Sequence, residues 1–421
     1  MARATVIDDH LRCRYAEIVV ARMSMTTPCS IAGFAPPRFD GASLLNLATT
    51  VDAALGNVPA HPLLADVTLR EQILRARHLV VWLIDGLGVE PLRLLAPRSA
   101  LASAMRGEVQ SVFPSSTSPT LTTLATARSP AAHAVPEWFL WFDELGAVYR
   151  SLPLDPRDRT SRGPTIEEAS ALYPQPSLMA RAARPCFAVL PEAIAHSAFS
   201  RYANEGARRI PFTDEASFID AITGAIDDSA GGSYVYAYVD AFDQAAHEFG
   251  AASEPAQAIV RGLDRWFERL ATMLAARAAL LVVTSDHGFI DVPAHLRLRL
   301  DAFGEIAACL DRPLCGGPRT PFAYVKAEKQ EGFAAIVERS LGTHFVAVPS
   351  GGLVEAGWFG PDAPDPRLRS RIGTHVLLPK SGAYLADSLP GEERSSLIGV
   401  HGGMSSAECR VPLIVAGADH S

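Results

Sequence analysis

The pattern of apolar and polar positions divides the chain into short apolar runs, each followed by a polar or glycine-rich turn. The four clearest runs are LVVWLI (79–84), YVYAYV (234–239), ALLVVT (279–284) and VPLIVAG (411–417). Runs that are apolar at every position are typical of strands buried on both faces, as in a parallel sheet covered by helices. We therefore predict a central, mostly parallel sheet.

A helical pattern lies between the later runs. In the segment 253–278, Pro255 stands near the start, and one apolar stripe follows at Ile259, Leu263, Trp266, Leu270 and Met273. Strands that alternate with helices predict a doubly wound α/β fold.

The stretch 296–375 has a different character, with short apolar segments, one helical pattern and a run rich in glycine, proline and aspartate. It predicts a small α+β cap inserted into the core. The expected organisation is an N-terminal extension (1–30), a core (31–295 plus 376–421) and the cap (296–375).

Composition narrows the class of protein. The chain has 421 residues and a net charge of −8, without a cluster of lysine and arginine, so we expect no nucleic-acid polymer as partner. A phosphorylated small molecule stays compatible with this charge, because bound metal ions supply local positive charge.

The six cysteines are scattered, and free thiols in a reducing compartment are the expected state, although Cys309 and Cys315 are close enough in sequence to pair. No stretch is apolar over a membrane-spanning length, and the N-terminus has no secretory signal pattern. These features predict a cytoplasmic protein with no membrane partner.

Ionisable side chains follow two of the apolar runs directly. Asp85 ends the first run, and Asp286 and His287 end the third. Ligands of open α/β sheets bind at the carboxyl ends of the strands, and buried charges at such positions need a partner or a metal. The Gly-Leu-Gly after Asp85 is not a dinucleotide fingerprint, because Pro91 stands where the third glycine is needed.

Two more segments carry metal-ligating residue types. Asp243 and His247 are four residues apart, which places them on one face of a helix, and Asp240 is an alternative ligand one turn earlier. His401 lies before the last apolar run, next to two glycines.

A hydroxyl-rich run precedes a helical pattern at 115–126. Ser118-Pro119 predicts the N-cap and first turn of that helix, where free backbone N–H groups favour an anion. The residues alone leave the choice of nucleophile open among Ser115, Ser116, Thr117 and Ser118.

Taken in order, these segments resemble the alkaline phosphatase superfamily, and most closely its branch of type I phosphodiesterases and nucleotide pyrophosphatases. The resemblance covers about residues 79 to 417 and follows the order aspartate, hydroxyl nucleophile, Asp-x-x-x-His, Asp-His-Gly and His-Gly-Gly. It includes the F-P-x-x-T pattern of the family at 113–117, which implies that Thr117 is the nucleophile.

The resemblance implies two divalent metal ions, with zinc as the expected ion and manganese as the alternative. One ion would be held by Asp243, His247 and His401. The other would be held by Asp85, Asp286 and His287, with Thr117 approaching it.

The implied activity is hydrolysis of a phosphodiester or pyrophosphate bond, with a nucleotide as the expected substrate, through a covalent phosphothreonine. The alternatives are a phosphomonoesterase or phosphonate hydrolase of the same superfamily, and a non-catalytic protein that binds a phosphate ligand. A sulfatase is disfavoured, because the chain lacks the C-x-P-x-R motif.

The sequence departs from the family at one position. Nucleotide pyrophosphatases carry an asparagine after the nucleophile that binds a phosphate oxygen, and Glu137 and Trp138 stand there instead. We hypothesise that Trp138 forms an aromatic wall of the substrate site; packing with Phe139, Trp141 and Phe142 is the alternative.

Overall fold

The computed structural model describes residues 34–417, except 159, 160, 162, 393 and 394. The predicted N-terminal extension, 1–30, lies outside the described residues together with Cys13 and Cys29.

The strands and helices of the described residues are numbered separately in chain order. The strands are β1 (His78–Ile84), β2 (Met105–Gln110), β3 (Phe139–Phe142), β4 (Ala147–Arg150), β5 (Asp155–Pro156), β6 (Cys186–Pro191), β7 (Ala207–Phe212), β8 (Ser233–Val239), β9 (Ala279–Thr284), β10 (Ile290–Asp291), β11 (Arg297–Arg299), β12 (Cys315–Gly316), β13 (Pro321–Ala323), β14 (Phe345–Pro349), β15 (His375–Pro379), β16 (Tyr384–Ala386), β17 (Gly399–Val400) and β18 (Arg410–Ala416). The α-helices are α1 (Leu44–Ala54), α2 (Val67–Arg75), α3 (Val89–Leu95), α4 (Ala100–Ser103), α5 (Thr117–Thr126), α6 (Pro130–His133), α7 (Ile166–Ala171), α8 (Ala198–Ala203), α9 (Glu215–Asp227), α10 (Ala241–Phe249), α11 (Glu254–Ala275), α12 (Gly304–Cys309), α13 (Gln330–Leu341), α14 (Ser350–Glu355), α15 (Pro366–Arg371) and α16 (Ser406–Cys409).

A seven-stranded sheet forms the centre of the molecule, in the order β2-β18-β9-β1-β8-β6-β7. The pairs of β1 with β8 and β9, and of β6 with β7 and β8, are parallel. The last strand, β18, is antiparallel to both β2 and β9. The predicted sheet is thus confirmed as mostly parallel, but the run at 411–417 is an antiparallel member of it.

Both faces of this sheet are covered. Along β1, Leu79, Val81 and Leu83 belong to one apolar core, whereas Val80, Trp82 and Ile84 belong to the core on the opposite face. Because successive strand residues point to opposite faces, an uninterrupted apolar run is the pattern that a doubly covered sheet requires. The doubly wound α/β fold is therefore confirmed.

The helix predicted at 253–278 is α11, and two members of its predicted stripe are buried as expected, but the other three lie one residue before the buried positions. Val260, Leu263, Phe267, Leu270 and Leu274 are buried, whereas the predicted members Ile259, Trp266 and Met273 are partly buried at the flank of the same core. The apolar face is wide enough to hold both rows, and the sequence pattern did not say which row is central.

A second seven-stranded sheet, in the order β14-β15-β13-β12-β3-β4-β5, lies beside the first. It draws β3, β4 and β5 from the predicted core and the others from or beside the predicted cap. The division into core and cap at 296 and 375 stays a prediction. One face of the second sheet joins the core formed under α5, through residues such as Phe142 and Val376.

The four described cysteines, Cys186, Cys309, Cys315 and Cys409, are free and buried. None of the described helices has the length and apolar character needed to cross a bilayer. The cytoplasmic location stays a prediction.

Candidate active site

The candidate site lies at the carboxyl edge of the central sheet. Asp85 follows β1 directly and is buried. The next residue, Gly86, has φ +75°, and a Cβ on it would lie 2.4 Å from Cε2 of Phe289. Glycine therefore lets the chain turn sharply here, and its N–H donates to Oδ1 of Asp286 at 2.9 Å.

Asp286 and His287 follow the neighbouring strand β9 and are fully buried. Oδ1 of Asp286 accepts hydrogen bonds from the N–H groups of Gly86 and of His287, at 2.9 and 3.0 Å. These bonds fix the carboxylate and leave Oδ2 to face the site.

Asp243 and His247 lie one turn apart on α10, as predicted, with Nε2 of His247 3.5 Å from Oδ1 of Asp243. Nδ1 of His247 lies 2.8 Å from the carbonyl oxygen of Gly399, a contact that orients Nε2 toward Asp243. The ring of His401 stacks on that of His287, with 3.6 Å between centroids.

The six predicted ligands converge in two groups. Asp243, His247 and His401 form one, and Asp85, Asp286 and His287 form the other, with the candidate ligand atoms of each group all within 4.8 Å of one another. The two groups adjoin, because Nε2 of His287 lies 3.9 Å from Oδ1 of Asp243.

Three buried carboxylate oxygens in this site have no hydrogen-bond partner among the described residues: Oδ1 of Asp85, Oδ1 of Asp243 and Oδ2 of Asp286. Such oxygens are costly to bury without a cation. An arrangement of unpartnered carboxylate oxygens beside histidine nitrogens fits divalent metal ions of the zinc or manganese type.

The electrostatics lead to the same conclusion. Burial and the neighbouring carboxylates raise the pKa of Asp85, and burial is the main cause that raises the pKa of Asp243 and of Asp286 to about 7. Burial also lowers the pKa of His247 and of His401, which favours the neutral, ligating imidazole. A cation would relieve the repulsion among the carboxylates and favour their ionised forms.

Among the four hydroxyls left open by the sequence, Thr117 alone is directed at the two ligand groups. Its Oγ1 lies 3.1 Å from Nε2 of His287. The other three side chains are buried and bonded elsewhere: Ser115 donates to the carbonyl oxygen of Gly403, Ser116 donates to Glu137 at 3.1 Å, and Ser118 accepts from Ser151 at 2.8 Å.

The helix that carries Thr117 begins earlier than predicted. Ser116 is its N-cap and Thr117 its first residue, so the predicted N-cap at Ser118 is wrong by two positions. Proline fits anywhere in a first turn, where its missing N–H has no helical partner, and Pro119 therefore did not fix the start.

Three supporting contacts were not found from the sequence. Tyr238 donates its hydroxyl hydrogen to Oδ2 of Asp85. Arg319 pairs with the buried Glu408, which also accepts from the N–H of Gly403, two residues after His401. The tyrosine lies inside an apolar run, and the ion pair joins distant segments, so neither carried a local signal.

Glu137, in the place of the family's asparagine, is buried and accepts from Ser116 and from the N–H of Trp138. Burial raises the pKa of this carboxyl to about 7. The neighbouring Trp138 is half-buried and lines both cavities that adjoin the site. This location is compatible with an aromatic wall of the substrate site, and that role stays a hypothesis.

Two cavities of about 420 Å³ each adjoin the site, and Thr117, Trp138 and Asp243 line both. The first, called the α5 cavity, extends between α5 and β8, where its wall includes Leu121, Leu124, Ala125, Tyr234, Tyr236 and Tyr238. The second, called the β12 cavity, extends toward β12 and β16, where its wall includes Phe139, Arg157, Gly316, Leu385, Ala386 and Glu392.

Comparison with known proteins agrees with this architecture. The family model described as type I phosphodiesterase/nucleotide pyrophosphatase matches residues 79–404. Murine ectonucleotide pyrophosphatase/phosphodiesterase 5 superposes with a TM-score of 0.59 at 17% identity, over 81% of this chain and 88% of that chain. An inactive threonine-to-alanine variant of that protein is known in complex with AMP.

Phosphonoacetate hydrolase from Sinorhizobium meliloti 1021, in complex with phosphonoformate, superposes with a TM-score of 0.58 at 16% identity, over 82% of this chain and 92% of that chain. At these identities the likeness establishes a common fold. Comparison with curated proteins found none that matches the chain.

Proposed function

The chain belongs to the type I phosphodiesterase/nucleotide pyrophosphatase family of the alkaline phosphatase superfamily and is a hydrolase of that type, and from this premise we propose that it cleaves phosphodiesters through Thr117. The observation that carries the proposal is the position of Thr117, whose Oγ1 lies 3.1 Å from Nε2 of His287 at the edge of both ligand groups.

Two divalent metal ions are the proposed cofactors. Asp243, His247 and His401 would hold one, and Asp85, Asp286 and His287 would hold the other, with Thr117 beside it. Divalent ions held there would favour loss of the Thr117 hydroxyl proton and would offset the negative charge of a reacting phosphoryl group. Mixed carboxylate and imidazole ligands suit zinc, our first choice, and manganese.

The proposed reaction has two displacements. Thr117 loses its proton, and Oγ1 bonds to phosphorus while the bond from phosphorus to the departing ester oxygen breaks; that oxygen takes a proton and leaves as an alcohol. Water then attacks the phosphorus of the phosphothreonine, and the threonine oxygen departs with a proton. The products are an alcohol and a phosphate monoester.

The paired cavities support a diester rather than a monoester as substrate. A diester carries two organic groups, one that departs and one that is retained, and each cavity that meets at Thr117 has room for one of them. A monoester or a small phosphonate needs one such space. The nucleotide expected from the sequence stays a prediction.

The test compares hydrolysis of bis(p-nitrophenyl) phosphate and p-nitrophenyl phosphate by metal-loaded protein. We expect the diester to have the larger kcat/KM. We also expect Thr117→Ala to lose at least about a thousandfold in kcat, because the neighbouring hydroxyls of Ser115, Ser116 and Ser118 are bonded away from the ligand groups.

Two controls make this test specific. Thr117→Ser retains a hydroxyl at the same place and should keep part of the activity. Thr117→Ala retains the six aspartate and histidine ligands and should still bind metal. A preference for the monoester would move the assignment to a phosphatase. Full activity in Thr117→Ala would refute the nucleophile, and wild-type protein that binds metal but cleaves neither ester would favour a non-catalytic binding protein.

A further inference from the structure

The α5 cavity starts at the nucleophile and extends away from it along two elements. On α5, Leu121, Leu124 and Ala125 follow Thr117 by four, seven and eight residues, so they share its helical face. At a rise of about 1.5 Å per residue, this face extends about 12 Å beyond the nucleophile.

The facing wall has a similar length. Tyr238, Tyr236 and Tyr234 alternate along β8 and therefore point to one side of the sheet, into the cavity. At about 3.3 Å per residue, the distance from Tyr238 to Tyr234 is about 13 Å. The α5 cavity is thus an elongated space that leads from the reacting centre into the interior.

The charged side chains of this wall are confined to one end. Among the described residues, its charged members are Asp85, Asp240 and Asp243, and all three lie in the segments that follow the carboxyl ends of β1 and β8. Farther in, the wall consists largely of aliphatic and aromatic groups, including Leu190 and Phe199.

The serine and asparagine side chains of the inner wall form bonds within α8 and its caps, and the hydroxyls of Tyr234 and Tyr236 are the other polar groups there. Oγ of Ser197 accepts from the N–H of Ser200, and Nδ2 of Asn204 donates to the carbonyl oxygen of Ser200. A sugar or base placed there would lose its hydrogen bonds with water and form few new ones, which is unfavourable. An alkyl chain has no such hydrogen bonds to lose, and its burial is favourable.

We propose that the α5 cavity binds an unbranched alkyl chain carried by one ester group of the substrate, so that phosphodiesters with a long apolar arm are preferred. This inference rests on the proposed function, because the phosphorus must lie at Thr117 while the chain extends along α5.

The β12 cavity is the complementary space for the other ester group. Arg157 lies in its wall, where Nη2 forms an ion pair with Glu392 at 3.0 Å and the guanidinium covers the ring of Phe139 at 4.3 Å. The described wall of this cavity thus includes charged side chains away from the two ligand groups, which the inner part of the α5 cavity lacks, and we assign the departing group to this side.

The experiment uses metal-loaded protein and a series of p-nitrophenyl alkyl phosphates with methyl, butyl and octyl arms. Each buried methylene is expected to raise kcat/KM by up to about fourfold. The gain from methyl to octyl should exceed about tenfold. The p-nitrophenyl ester of thymidine 5′-phosphate provides the nucleoside arm for comparison and should be a poorer substrate than the octyl ester.

Matched variants locate the effect. Ala125→Leu fills the inner part of the α5 cavity and should lower the octyl-to-methyl ratio of kcat/KM at least about tenfold. Ala386→Leu makes the same change in the wall of the β12 cavity and should change both rates by one factor, which leaves the ratio at the wild-type value. Thermal unfolding of each variant checks that it folds.

The outcomes separate this inference from the proposed function. Thr117-dependent cleavage of the methyl ester without a gain for the octyl ester, or with a preference for the thymidine ester, overturns the alkyl site and leaves the hydrolase intact. If no ester is cleaved, the proposed function fails, and calorimetric titration decides the inference: octyl phosphate must still bind tighter than methyl phosphate, and equal affinities would refute it.

Discussion

Tyr238 donates its hydroxyl hydrogen to Oδ2 of Asp85, while Oδ1 of the same carboxylate faces Nε2 of His287 at 3.3 Å. One oxygen is thus held by a neutral donor, and the other is directed at the proposed metal. Groups that orient metal ligands in this way contribute to metal affinity, because they hold the ligand atom in the position that binding requires.

Tyr238→Phe removes that donor and keeps the ring. We expect the affinity for one of the two metal ions to fall about 10-fold to 100-fold, because Asp85 becomes free to rotate. Competition with a chelator of known affinity measures the change. Tyr236→Phe is the matched control, since this residue lies on the same face of the same strand without a bond to Asp85, and equal losses in both variants would contradict the assignment.

At the residue scale, the sequence was informative where chemistry and spacing coincide. Asp243 and His247 are four residues apart, and such a spacing on a helix forces two side chains to one face. The choice of Thr117 among four hydroxyls came from the family resemblance, because neighbouring hydroxyls differ only in direction. Direction depends on where the helix begins, and the sequence placed that point two residues too late.

The conformation of the glycine-rich loop 401–405 is held by side chains outside the loop. Glu408 accepts from the N–H of Gly403 at 2.8 Å and from Oγ of Ser405 at 2.6 Å, and both of its oxygens accept from Arg319. Thr320 adds a hydrogen bond to the carbonyl oxygen of Gly402 at 2.6 Å. These contacts hold the loop that presents His401.

Arg319→Met leaves the buried carboxylate of Glu408 without its cation. Removing one partner of a buried ion pair costs about 3 kcal/mol or more, so the free energy of unfolding should fall by about that amount. Denaturant unfolding of the metal-free protein measures it. The exposed pair of Arg269 and Glu215 supplies the control, because Arg269→Met should cost less than about 1 kcal/mol; similar losses in the two variants would contradict this role.

At the element scale, apolar runs predicted strands but not their directions. The runs at 79–84 and 411–417 look alike, yet β1 is parallel to its neighbours and β18 is antiparallel. Direction is set by the connections between elements, which an apolar run does not encode. The short strands β3, β4 and β5 carried no clear period, and their pairing with β12 depends on contacts across the whole chain.

At the scale of the whole molecule, the stability of the fold depends on the protonation of the buried carboxylates in the candidate site. In the metal-free chain, burial raises the pKa of Asp243 and of Asp286 from 3.8 to about 7. The folded protein then holds protons that the unfolded chain has released. The resulting stability is fully present below about pH 4 and is lost as the pH rises through about 7.

We therefore expect the metal-free protein to lose stability between about pH 4 and 7, by up to about 1.4 kcal/mol per pH unit for each retained proton. The metal-loaded protein should not, because cations favour the ionised carboxylates. Thermal unfolding with and without a chelator measures both. The double variant Asp243→Asn with Asp286→Asn should flatten the metal-free profile, and an already flat wild-type profile would contradict the prediction.

The place of β18 in the central sheet has a consequence for biosynthesis. This strand, made of residues 410–416, lies between β2 and β9, which are formed by residues 105–110 and 279–284. While the ribosome is still translating the segment before residue 410, β2 and β9 each lack a neighbour and expose unpaired backbone groups. The nascent chain must avoid pairing of these two edges with other chains until β18 emerges and joins them.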